Sequence, residues 1–215
     1  MIYVLALDHI VYTSEEIGFP HEKFSLENQI KAVKGGEHED WGTYNYLAHF
    51  SNDSYLEWLG VNDYDKAKQS DNPLIKHLIY VLDHKKEGPF QFALRTNQLD
   101  KYITHFKNNN IPFEGPFHGS REKPDGTELK WRMLFPKYNY EKEVLPFLIE
   151  WESENQISSL FNPQAITKIN YGNMDIKRFR HIYHLKPRKL LKNRVILHNA
   201  KIFFTENDEL DFELE

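Results

Sequence analysis

Four short hydrophobic runs of this 215-residue chain each carry one side chain that could hold a divalent cation. Two runs lie in each half of the chain, and their cation-capable residues are His9, Glu57, Gln91 and Glu150. A carboxylate or imidazole on an apolar strand is costly to bury unless a counter-charge or a metal pairs with it. The pattern therefore predicts that oxygen and nitrogen ligands from both halves meet at one metal ion.

Two similar halves are expected to position these side chains. In each half a strand is followed by a helix and then by a hairpin of two strands. The predicted elements of the first half are a strand at 2–12, a helix within 24–33 that Gly35-Gly36 ends, and strands at 43–50 and 55–60. Those of the second half are a strand at 90–96, a helix that Asn97 caps, and strands at 128–135 and 145–151.

Strand alternation predicts which way the candidate side chains point, because residues i and i+2 share one face. Around Glu57 the apolar pair Leu56 and Trp58 takes the opposite face, which is expected to pack against helices. Around Glu150 the opposite face is rich in aromatic residues, so its carboxylate is expected to point away from the core. These donors suit Ni²⁺, Co²⁺, Fe²⁺, Mn²⁺ or Zn²⁺, and the identity of the metal stays open.

A shorter third copy of the pattern follows Asn162-Pro163. Its predicted elements are a strand at 166–171, a helix at 175–185 that Asp175 caps, and a hairpin around Asn199-Ala200. We interpret it as a structural appendage or an oligomerisation element. The predicted organisation is a domain at 1–152, built from modules at about 1–62 and 86–152, and a partial C-terminal module at 164–215.

Composition excludes several classes of function. The chain has no cysteine, so disulfides, zinc thiolate sites and cysteine nucleophiles are excluded, and a reducing compartment fits. Its net charge of -5 is unsuited to nucleic acid. No apolar run approaches the roughly 20 residues that span a bilayer, and the N-terminus lacks the basic start of a signal peptide. We predict a cytoplasmic protein with no membrane or nucleic-acid partner.

Each candidate ligand also has a purely structural interpretation. His9 could be a core histidine with satisfied hydrogen bonds, and Gln91 an ordinary polar residue. Glu57 and Glu150 could instead form ion pairs across the sheet, with Lys130 or Arg132 as the basic partners.

Two further residues are candidates for substrate binding. Arg132 could bind an anionic or carbonyl group of a substrate, or it could be a surface charge. Asn45 lies on the strand before Glu57, and whether it shares the face of Glu57 depends on the hairpin register through Ser51 to Ser54.

Short motifs in a particular order indicate a family. They are Gly42-Thr43-Tyr44-Asn45, Tyr55-Leu56-Glu57, Leu94-Arg95-Thr96, Pro124-Asp125-Gly126 through Trp131, and Leu145 through Glu150 to Trp151. Together with His9 on the first strand, they resemble the glyoxalase-like domain family of the vicinal oxygen chelate superfamily. The resemblance covers residues 1–152 and, more weakly, the rest of the chain.

This resemblance implies an α+β fold in which paired βαβββ modules form a curled mixed sheet, a cup around one divalent metal ion, with a partial third βαββ module at the C-terminus. It implies His9, Glu57, Gln91 and Glu150 as metal ligands and Glu150 as the proton-shuttling base. The implied activity is that of a lyase, isomerase or dioxygenase on a small substrate with two adjacent oxygens. A metal-free small-ligand-binding protein is the alternative, and a homodimer is expected in either case.

Overall fold

The structure is a computed structural model that describes residues 5–15, 18–122, 128–152, 162–172, 174–186, 193–207 and 209–215. The predicted turn Pro124-Asp125-Gly126 and most of the segment between the predicted domains lie outside the described residues. The chain forms two compact units. The N-terminal unit comprises His9–Phe92, Ile157–Ile166 and Leu214–Glu215, and the C-terminal unit comprises Met1–Asp8, Ala93–Gln156 and Thr167–Glu213.

The first βαβββ module supplies most of the N-terminal unit. Its elements are β1 (Ala6–Thr13), α1 (Gly18–Asn28), β2 (Val33–His38), β3 (Thr43–His49) and β4 (Tyr55–Val61). The strands lie in the order β2-β3-β4-β1, with β1 parallel to β4 and the other neighbours antiparallel. Two helices follow, α2 (Tyr64–Gln69) and α3 (Pro73–Asp83), before β5 (Gly88–Arg95).

Strand register decides the two faces of this sheet. Glu57 lies opposite Val11 of β1 and opposite Leu47 of β3. His9, Asn45 and Glu57 therefore share one face, because paired residues and residues two apart point the same way. The other face packs on α1, where Trp58 lies edge-on to Phe24 at 5.7 Å between ring centroids.

The helix of this module, α1, lies earlier in the chain than the helix predicted at 24–33. The helix ends at Asn28, and Gly35-Gly36, predicted to end it, lie inside β2. The register of β2 against β3 shifts between Lys34 and Gly36. A Cβ on Gly35 would lie 2.3 Å from Asn45 Oδ1, so the glycine makes room for that side chain at the bulge.

The second βαβββ module lies in the C-terminal unit. After β5 come α4 (Leu99–Asn108), β6 (Phe113–Glu122), β7 (Glu128–Pro136) and β8 (Phe147–Trp151), with the strand order β5-β8-β7-β6. β6 is not among the strands predicted from the sequence, and Gly115, Pro116 and Gly119 interrupt its alternation. Antiparallel pairing with β7 makes it a strand.

The C-terminal module adds a second sheet. It consists of β9 (Ile166–Tyr171), α5 (Ile176–Ile182), β10 (Arg194–Ile196), β11 (Lys201–Phe204) and β12 (Leu210–Leu214), with the order β10-β11-β9-β12. The predicted cap is confirmed, since the Asp175 carboxylate accepts a hydrogen bond from the backbone N–H of Arg178 at 2.7 Å. The predicted α+β class with two βαβββ modules and a shorter third module is confirmed. None of the described helices is long and apolar enough to cross a membrane.

Candidate functional site

The N-terminal unit brings three predicted site residues together on one sheet face. His9 Nε2 lies 3.5 Å from Glu57 Oε2, and Asn45 Nδ2 donates a 2.6 Å hydrogen bond to Glu57 Oε1. His9, Glu57 and Asn45 are 3%, 8% and 4% exposed, so the cluster is buried. The register through the β3–β4 hairpin therefore places Asn45 beside Glu57, which the sequence left open.

The two oxygens of the Glu57 carboxylate have different neighbours. Asn45 holds Oε1, which fixes the rotation of the carboxylate and leaves Oε2 directed at the imidazole. The His9 ring also stacks on Tyr55 at 4.5 Å between centroids. A buried imidazole beside a buried carboxylate can carry out general acid–base chemistry on a group bound next to both.

Gln91 is buried on β5, and only 1% of it is exposed. Its side-chain oxygen accepts a 2.8 Å hydrogen bond from the backbone N–H of Phe92. Part of its acceptor capacity is therefore already used by the protein.

The second module does not repeat the placement of Glu57. In the first module Glu57 pairs with Val11, which is two residues after His9. Two residues after Gln91 stands Ala93, and its partner on β8 is Phe147. Phe147 therefore occupies the position equivalent to Glu57. Glu150 lies three residues further along β8, and this odd offset turns its side chain to the opposite face of the strand.

That opposite face of β8 meets α4. The Glu150 carboxylate accepts a 3.1 Å hydrogen bond from the backbone N–H of Leu99 at the start of α4, and its other oxygen pairs with the Arg132 guanidinium. The expectation that Glu150 points away from the core therefore differs from the structure. The physical reason is that the first N–H groups of a helix need acceptors, and Glu150 supplies one.

Arg132 forms hydrogen bonds to two carboxylates, those of Asp100 and Glu150. It donates to both carboxylate oxygens of Asp100, at 3.0 and 3.3 Å, and to Glu150. These hydrogen bonds, first to Asp100 and then to Glu150, raise the pKa of Arg132 further above its usual value. These contacts correspond to the structural interpretation of Glu150, in which it forms an ion pair across the sheet with Arg132.

These contacts bear on a metal centre. Among the described residues, no group of three or more His, Asp or Glu side chains is placed to hold a metal ion. Glu150 is engaged by Arg132 and Leu99, and the repeat offers Phe147 where a second carboxylate would stand. The described contacts of Glu150 therefore do not fit the role of a metal ligand, and we derive no reaction step through a metal.

Asp8 is not among the site residues predicted from the sequence, although it precedes His9 in an apolar strand. In the C-terminal unit this carboxylate is fully buried and accepts a 2.9 Å hydrogen bond from Trp151 Nε1. Arg95 lies beside it at 3.6 Å. A charged residue in the middle of an apolar strand was the signal that could have identified it.

Most of the chain is similar to known proteins. The profile of the glyoxalase-like domain family matches residues 7–186. A hypothetical protein from Staphylococcus aureus has a similar structure, with a TM-score of 0.77 and 18% identity, covering 97% of this chain and 89% of that one. Methylmalonyl-CoA epimerase from Streptomyces coelicolor, in complex with 2-nitronate-propionyl-CoA, has a TM-score of 0.50 and 16% identity, covering 71% of this chain and 100% of that one. No curated protein matches the sequence.

Proposed function

Because this chain belongs to the glyoxalase-like domain family, we propose that it is an enzyme of the lyase or isomerase type that moves a proton on a small substrate with two adjacent oxygens. The observation that carries the proposal is the buried pair of His9 and Glu57, whose Nε2 and Oε2 atoms are 3.5 Å apart. The similar fold of a protein named as an epimerase is compatible with this reaction class.

The proposed roles follow from the contacts of the pair. Glu57 Oε2 takes a proton from the carbon beside the substrate carbonyl, while Asn45 keeps the carboxylate oriented through Oε1. His9 Nε2 donates a hydrogen bond to the oxygen on which negative charge develops. Return of the proton to the same carbon or to its neighbour completes the reaction. General acid–base catalysis of this kind contributes about 10²- to 10⁴-fold in rate.

The test is exchange of substrate protons with deuterated solvent. Methylmalonyl-CoA and a panel of α-hydroxy and α-keto carbonyl compounds serve as probes. Glu57→Gln and His9→Gln are expected to slow exchange by about 10²-fold or more. Glu128→Gln, a substitution at an exposed glutamate of β7, is the matched control and should exchange at the wild-type rate. Equal rates in all four proteins would sink the proposal.

A divalent cation is the further element that the family resemblance implies, and it also underlies the dioxygenase alternative. Metal analysis of protein purified without chelator tests it, with Glu57→Ala and Glu150→Ala beside the wild type. A bound ion that both substitutions remove would support ligation by both glutamates. Loss in Glu57→Ala alone would place the ion without Glu150, and equal metal content in all three proteins would contradict the predicted ligand set.

The second candidate function is metal-free binding of a small ligand. It is favoured by the aromatic surface beside the cluster, where the Tyr55 ring lies 4.5 Å from His9 and 5.2 Å from His49. Thermal-shift screening separates the two functions, because a ligand that binds only the folded state raises its stability. Stabilisation by aromatic compounds without any proton exchange would favour the binding protein.

The proposal includes a homodimer, as the superfamily resemblance predicts. Sedimentation velocity at several protein concentrations tests this assembly directly. A single species with the mass of one chain at all concentrations would contradict it.

A further inference from the structure

Arg95 in the C-terminal unit forms an ion pair with Asp8 and is partly exposed. Its guanidinium lies 3.6 Å from Asp8 Oδ2, which is longer than an N–H···O hydrogen bond. Arg95 donates no hydrogen bond to any other described residue. The guanidinium carries five N–H donors, and the side chain is 26% exposed. Arg132 of the same unit differs, because Asp100 and Glu150 occupy its donors.

A buried carboxylate positions this guanidinium. Asp8 is fully buried, and the same oxygen that faces Arg95 accepts the hydrogen bond from Trp151 Nε1. A buried carboxylate requires nearby positive charge, which keeps the arginine in place. Because Asp8 is buried and Arg95 is partly exposed, the pair forms a dipole whose positive end is the accessible one.

The face around Arg95 is apolar and aromatic. Arg95 pairs with Ile149 across β5 and β8, so both point away from the face that contacts α4. Trp151, two residues further along β8, shares this face, and its ring lies 5.4 Å from that of Trp131. Gly119 of β6 makes room for Trp131, since a Cβ there would lie 2.4 Å from the indole.

We propose that Arg95, positioned by Asp8, binds the carboxylate of a small organic acid whose apolar part lies on the partly exposed Trp151, which packs on the buried Trp131. The planar fork of an arginine matches the two oxygens of a carboxylate, and an indole surface suits a flat apolar group. The site lies wholly within the C-terminal unit. It is independent of the proton transfer proposed for His9 and Glu57.

The test uses benzoate as the probe and benzamide as its neutral counterpart. The indole N–H signal of Trp151, identified in NMR spectra by its loss in Trp151→Phe, reports directly on the site. Benzoate should shift this signal saturably in the millimolar range. Benzamide should bind at least about tenfold more weakly, because charge-assisted hydrogen bonds are the stronger ones.

The variants separate binding from folding. Arg95→Met should weaken benzoate binding by about tenfold or more. The double variant with Asp8→Asn and Arg95→Met should bind benzoate as weakly as Arg95→Met does. It tests the same contact without leaving the buried Asp8 carboxylate unpaired. Arg178→Met, at an arginine that is 51% exposed and paired with Glu143, is the matched control and should keep wild-type affinity.

Three results would overturn the assignment. One is wild-type benzoate affinity in a folded variant lacking Arg95, and another is a Trp151 signal that benzoate does not shift. The third is a response to inorganic phosphate as strong as that to benzoate, which would show that the apolar part contributes nothing. The net charge of -5 gives no general attraction for anions, so a saturable response reports a local site.

Discussion

At the scale of single residues, the contacts of two glutamates differ although both lie on the last strand of a module. Glu57 has an amide on one oxygen and an imidazole near the other, and the proposed proton transfer rests on these two contacts. Glu150 has a helix N–H and a guanidinium, which hold it in a structural role. Partners, and not the residue type, distinguish the two carboxylates.

The bulge in β2 gives a prediction that two adjacent glycines can test. Gly35→Ala places a methyl group against Asn45 and Leu47, so we expect a loss of stability of about 1–3 kcal/mol from overpacking. Gly36→Ala is the matched control, because a Cβ there meets nothing within 4 Å. Urea denaturation measures both, and a Gly35→Ala midpoint equal to that of Gly36→Ala would contradict the argument.

The contacts of Glu150 predict a stability effect. Glu150→Ala removes the acceptor for the Leu99 N–H and one partner of Arg132, so the free energy of unfolding should fall by about 1–3 kcal/mol. Glu128→Ala serves as the control, since Glu128 is half exposed and pairs with the exposed Lys130 on its own strand. Denaturant midpoints that coincide for the two variants would count against the structural role.

At the scale of elements, α3 shows how a helix between the two modules is stabilised. The Asn72 side chain accepts from the N–H of Leu74, and Pro73 opens the helix. Leu74, Ile75 and Leu78 then form a buried stripe at helical spacing. His77 also lies in this buried part and is 3% exposed.

The burial of His77 predicts a pH dependence of stability. Burial, with a smaller contribution from Lys86, lowers the pKa of His77 from 6.5 to about 3. Above pH 6.5 the histidine is neutral in both the folded and the unfolded chain. As the pH falls below 6.5, only the unfolded chain takes up this proton, so stability is lost, by about 2 kcal/mol at pH 5.

Denaturation curves between pH 7 and pH 5 measure this loss. His77→Leu removes the titrating group and should flatten the slope of stability against pH, whatever its effect on absolute stability. His118→Gln, at a histidine whose side chain is 68% exposed, is the control for removing a histidine elsewhere in the chain. A slope that His77→Leu leaves unchanged would refute the assignment to this residue.

At the scale of the whole molecule, the C-terminal module takes part in the core of its unit. The hydroxyl of Tyr183 donates a 2.6 Å hydrogen bond to the carbonyl of Pro146, and Tyr102 of α4 donates to the carbonyl of Tyr183 at 3.2 Å. Tyr171 of β9 donates to the carbonyl of Val144. Hydrogen bonds from the last module therefore hold the segment before β8 in place.

This packing predicts the effect of deleting one oxygen atom. Tyr183→Phe leaves the Pro146 carbonyl without its donor in a buried place, so stability should fall by about 1–3 kcal/mol. Tyr64→Phe is the matched control at a tyrosine that is 41% exposed. Thermal and urea denaturation compare them, and a Tyr183→Phe protein as stable as the control would show that the contact contributes little.

Much of this architecture was predictable because the relevant signals are local. Alternation of apolar residues identifies β1, β4, β5 and β8, and the cap at Asp175 identifies α5. The order of short motifs identified the family. Residues 33–38 and 113–122 were missed as strands because glycine and proline obscure their alternation.

By itself the sequence determined the class of fold and its duplicated modules, and it offered His9 and Glu57 as two of four candidate metal ligands. The tertiary structure decided which carboxylate meets which partner. Pairing between strands depends on residues far apart in the chain, and an odd offset along a strand exchanges its two faces. For this reason Asn45 and Glu57 meet across β3 and β4. For the same reason the Glu150 side chain lies on the face that contacts α4, whereas the Arg95 side chain lies on the opposite face.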